Sequence, residues 1–69
     1  MSAQSDLAEL SSLRAQVDEL TRRVVQIADG YRETEDSAVT NELDQGERAL
    51  MTVGRALERA AAMLADLQR

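Results

Sequence analysis

An all-α fold, a two-helix antiparallel hairpin dimerising into a four-helix bundle, is predicted by three observations. Apolar residues recur at heptad spacing in both halves of the chain, helix formers dominate the composition, and an acidic stretch interrupts the middle. Pro is absent from the 69 residues, Gly occurs three times, and one Tyr is the only aromatic. Sheets are built from β-branched and aromatic runs that this chain lacks, whereas Ala, Leu, Glu, Gln and Arg favour helix. A chain of this length seldom closes a core by itself. With no Cys and no His, a disulfide is ruled out and a zinc site lacks its two usual ligand types; association between helices is the remaining means of stabilisation.

In the first segment Leu10, Leu13, Val17, Leu20, Val24, Ile27 and Tyr31 alternate spacings of three and four, an unbroken seam of a and d positions. Asp6 with Glu9 three residues on has the form of a capping box, and Gly30 suits the position just past a helix end. The predicted helix spans about residues 5–29. Asp18 with Arg22 and Glu19 with Arg23 are pairs in the favourable i,i+4 order.

The second segment repeats the pattern with Leu43, Leu50, Val53, Leu57, Ala60, Leu64 and Leu67, over a helix of about residues 40–68. Thr40, with Ser37 as its rival, suits the N-cap, and Asp44 with Arg48 is a further helix-face pair. Ala49, Gly54, Ala56 and Ala61 flank this seam and let another helix approach closely. Gly46 falls where a seam residue belongs. Residues 30–39 form an acidic connector long enough to reverse the chain, so residues 1–69 read as one hairpin domain. The structural rival is a single continuous helix. Association is assigned to Leu10, Leu13, Val17, Leu20, Val24, Leu50, Val53, Gly54, Leu57, Ala60, Ala61 and Leu64.

The formal net charge is −5 and every basic residue is Arg, which argues against a nucleic-acid partner because phosphate neutralisation needs a basic surface. Residues 29–47 hold seven carboxylates against Arg32 alone, a charge run read as a solvated connector. Arg48, Arg55, Arg59 and Arg69 are placed to face that acidic middle on a neighbouring copy. Met51 and Met63, at helical spacing beside Leu, read as packing residues. No apolar run has the length of a membrane span and no signal peptide is recognisable at the N-terminus. A cytoplasmic protein is expected, with secretion lacking a cleaved signal as the alternative.

General acid–base and nucleophilic chemistry draw chiefly on His, Cys and Lys, and the chain has none of the three. No phosphate loop, Ca²⁺ loop or metal motif occurs. The expectation is a non-enzymatic protein without catalytic residues, cofactor or metal, acting through helical partners, itself first.

Two stretches resemble known families. Leu13-Arg14-Ala15-Gln16-Val17-Asp18-Glu19-Leu20 is similar to the opening of the first helix in all-helical chorismate mutases, a resemblance that implies contact between Arg14 and a substrate carboxylate. Ile27-Ala28-Asp29-Gly30-Tyr31-Arg32-Glu33-Thr34-Glu35-Asp36 looks like the end of the second helix in WXG100/ESX-type proteins of type VII secretion. That resemblance implies a small helical hairpin that dimerises, with Tyr31 and Glu35 matching a Tyr-x-x-x-Asp/Glu export signal. The Trp-x-Gly turn of that family is missing, and the Tyr-x-x-x-Glu pair lies mid-chain.

Overall fold

The computed structural model describes residues 2–68 and contains two helices, α1 (Ala3–Tyr31) and α2 (Ser37–Leu67), packed antiparallel as a hairpin. The molecule is a rod of 54 × 14 × 14 Å. Reversal of the chain at residues 32–36 eliminates the continuous helix.

α1 starts earlier than the sequence suggests. Its cap is Ser2, whose extended backbone lets the side chain accept a hydrogen bond from the Ser5 amide at 3.1 Å. Asp6 lies inside the first turn, where its charge complements the helix dipole. Gly30 is helical, and α1 runs on to Tyr31. Arg32, with an extended backbone, is the C-cap, and the left-handed residue of the turn that follows is Glu33, at φ 63°. Thr34 organises the turn: its amide and hydroxyl both donate to the Tyr31 carbonyl, at 3.2 and 2.6 Å, and its Oγ1 accepts from the Asp36 amide at 3.2 Å. A side chain with a Cβ is strained at positive φ by about 1 kcal/mol relative to Gly. Glu33→Gly is therefore expected to raise the melting temperature by roughly 4–8 °C. A melting temperature that stays level or falls would mean that the Glu33 side chain itself holds the turn.

α2 begins at Ser37 with Asp36 at the cap, so Thr40 is not a cap residue. It is 3% exposed, and its hydroxyl donates to the Ala28 carbonyl of α1 at 2.8 Å. Ala28 lies in the last turn of α1, where carbonyls run short of in-helix donors. This cross-helix bond contributes about 1 kcal/mol and fixes the register of the hairpin.

That register settles which face of each helix is inside. With Leu10, Val17 and Val24 as a positions, the residues turned toward α2 are those a positions and the e row of Leu7, Arg14, Thr21 and Ala28. On α2 the inward rows are Leu43, Leu50, Leu57 and Leu64 at a, with Thr40, Glu47, Gly54 and Ala61 at e. The d residues Leu13, Leu20, Ile27 and Val53, expected in the seam, are turned outward, while Gly54 and Ala61, expected on an open flank, are inside. The physical reason is size. Ala28, Thr40, Gly54 and Ala61 let the axes close to the short spacing of tightly packed helices, which the bulky d rows would hold apart. Among the described residues, Ala28, Thr40 and Gly54 are the buried ones, and no large side chain falls below 2% exposure.

Candidate interaction surface

The outward rows are regular. On α1, Leu13, Leu20 and Ile27 are 36, 47 and 54% exposed; on α2, Val39, Gly46, Val53, Ala60 and Leu67 follow at seven-residue intervals, with Leu67 75% exposed. Both rows are d positions. In an antiparallel pair that packs through a and e, the d rows of the two helices rise on the same side, because reversing the chain also reverses the sense of rotation. The opposite side agrees with this geometry: there the b residues Ser11 and Glu58 share one shallow groove, and Asp18 and Met51 share another. The hairpin is thus two-sided. One broad face is apolar; the other carries Arg14, Asp18, Thr21, Arg55 and Glu58 along two grooves whose floors are seam residues such as Leu10, Val17, Leu50 and Leu57.

Arg14 belongs to the seam, on the side away from the d rows. Its side chain lies across Gly54, where an added Cβ would sit 3.6 Å from Nε. Its Nη1 is 2.6 Å from Glu58 Oε1 and its Nε 3.5 Å from Asp18 Oδ1. The hydrogen bond to Glu58 is the main cause of a guanidinium pKa raised above its ordinary value. A raised basic pKa stabilises the fold fully below the unfolded value, and that contribution is lost only as the pH climbs through the folded one. Arg14 therefore stays charged through any ordinary pH. The carboxylate partners expected from chorismate-mutase likeness come from the chain itself.

Arg32 makes a second clasp beside the turn, reaching Asp29 at 3.2 Å and Asp44 on α2 at 3.4 Å. Its pKa is raised as well, first by the hydrogen bond to Asp44. These two clasps redirect the expected helix-face pairs: Asp18 turns to Arg14 and Asp44 to Arg32, while Arg22 pairs with Glu19.

Tyr31 is the last residue of α1 and 41% exposed, and Glu35 lies in the turn. The chain bends between them, so they do not stand one helical turn apart. Met51 and Met63, at 46 and 67% exposed, lie on the surface, with Met63 beside the outer apolar row. Of the predicted basic strip, Arg48, Arg55 and Arg59 are exposed on α2; Arg69 lies outside the described residues. No group of three or more His, Cys, Asp or Glu side chains that could hold a metal is found among the described residues, nor a helix long and apolar enough to cross a membrane.

The whole chain exposes 5239 Å². A compact monomer of 7.6 kDa exposes about 4300 Å², and the difference of roughly 900 Å² follows from the two-helix rod, which has no second layer to cover its broad faces.

Val39, read as the end of the connector, was not recognised as a member of this surface from the sequence, and Gly46 was read as an interruption of the seam row. The signal was present, since Val39, Gly46, Val53, Ala60 and Leu67 form one uninterrupted seven-residue series, but Gly46 has no side chain to advertise it. Comparisons with protein-family models, curated proteins and solved structures found no match to this chain.

Proposed function

We propose that this protein is a non-enzymatic helical adaptor or regulator that works by coiled-coil-like association through its outer apolar face, with its own copies first and another helical protein second. The observation that carries this reading is the pairing of an unclosed core with an ordered apolar row. Among its described residues the hairpin buries no large side chain completely, yet it exposes Leu13, Leu20 and Ile27 in register beside Val39, Val53 and Leu67. Scattered surface apolar residues are ordinary; a contiguous face of them on one side of a small protein marks an interaction site. The absence of His, Cys and Lys supports the non-enzymatic part of the reading.

Sedimentation equilibrium and circular dichroism across a dilution series test it. The expected result is a mass that is a multiple of 7.6 kDa at the concentrated end, with helicity falling as the complex dissociates. A 7.6 kDa species of constant helicity at every concentration would remove self-association.

A further inference from the structure

We infer that the outer face is covered by a second copy of this chain turned end over end, so that the two turns lie at opposite ends of the resulting four-helix bundle. The inference rests on the self-association proposed above and adds its partner and its geometry. Two like faces stack with twofold symmetry in two ways that keep neighbouring helices antiparallel. With the axis along the helices, α1 covers α2 of the second copy and both turns share one end. With the axis across them, α1 covers α1, α2 covers α2, and the turns are apart.

Charge decides between the two. The half of the rod next to the turn, residues 18–51, holds nine carboxylates against four Arg; the remaining residues hold four against four. Stacking along the helices would bring the two acidic halves alongside each other; their carboxylates stand mainly at the turn and on the helix flanks, outside the apolar contact, and their like charges repel across the bundle. End-over-end stacking lays each acidic half on a neutral one.

Packing agrees with the charge. The crossings of Ala28 with Thr40 and of Arg14 with Gly54 share one register. Placing the twofold axis midway between Leu13 and Leu20 brings Leu13 of each copy level with Leu20 of the other. The same axis passes within one turn of Val53, so the two Val53 residues meet near the centre. Gly46 then comes within one turn of Ala60 of the second copy, and the rods overlap along their full length. At the rims Glu9 comes within one turn of Arg23 of the second copy, and Glu42 within one turn of its Arg59.

The chain has no native Cys, so Glu35→Cys in the exposed turn takes a single nitroxide label. Pulsed dipolar electron resonance on the labelled full chain, with the mass measured on the same sample, reads the separation of the two turns. The expected separation is about 50 Å, nearly the 54 Å length of the rod, from a helical rise of 1.5 Å per residue. A separation under about 25 Å, the reach of two neighbouring helix pairs, in a sample of dimer mass would overturn the end-over-end arrangement and leave self-association standing. A 7.6 kDa mass with no dipolar coupling would overturn both.

Discussion

Leu57→Asp is expected to abolish the folded hairpin. Leu57 is an inward a residue of α2 and shares one wall of the seam with Leu7, Leu10 and Ala61. Removing a leucine side chain from such a site costs roughly 2–5 kcal/mol, and the carboxylate adds the penalty of holding a charge among apolar neighbours. Arg14 is near enough to answer that charge, but Glu58 at 2.6 Å and Asp18 at 3.5 Å already engage it. A chain of this size rarely holds more than about 3–5 kcal/mol in its core, so the loss exceeds what is available. Far-ultraviolet circular dichroism should show a coil spectrum at room temperature, whereas Leu57→Met, which conserves volume, should cost less than about 1.5 kcal/mol. A Leu57→Asp variant that still melts cooperatively near the unsubstituted protein would mean that the a rows do not carry the fold.

The a rows are also where the sequence was easiest to interpret. Leu10, Val17, Val24, Leu50, Leu57 and Leu64 sit at the centre of a three-row stripe, flanked by d on one side and e on the other. They are partly covered whichever flank turns inward, so helix existence, chain reversal and these six positions followed from spacing alone. The choice between flanks did not. Seam rules favour the row with the larger apolar residues, which on α1 is d, whereas an antiparallel pair gains more by closing on its smallest row.

The decisive residues, Ala28, Thr40, Gly54 and Ala61, are individually unremarkable in a one-dimensional pattern. Thr40 illustrates the difficulty: three residues into α2 it resembles a cap in the sequence, and only the opposing Ala28 carbonyl gives its hydroxyl another purpose. Glu33 gives no signal either, because the turn places a left-handed residue where no Gly or Asn marks it. The interaction surface was legible as a set of residues and not as a face. Leu13, Leu20, Val53 and Ala60 were picked out for association, but within the hairpin their row turns away from the neighbouring helix.

Leu20→Glu tests that face without touching the seam. Leu20 is 47% exposed in the single hairpin, so in isolation the substitution should cost no more than about 0.5 kcal/mol. In the end-over-end dimer the same position faces Leu13 of the second copy twice over, and two carboxylates are buried for each association event. Association should weaken by roughly 3–4 kcal/mol, more than a hundredfold in the association constant. Sedimentation at a concentration where the unsubstituted chain is dimeric should return a 7.6 kDa species of reduced helicity. Met51→Glu is the matched control, because Met51 is 46% exposed and lies on the opposite side of the same rod. It should leave the dimer intact. If the two substitutions weakened association equally, binding would follow general hydrophobicity and not one face; if neither did, the d rows would not be the contact surface. A loss confined to Leu20→Glu ties association to the side of the hairpin where the d rows of both helices rise together.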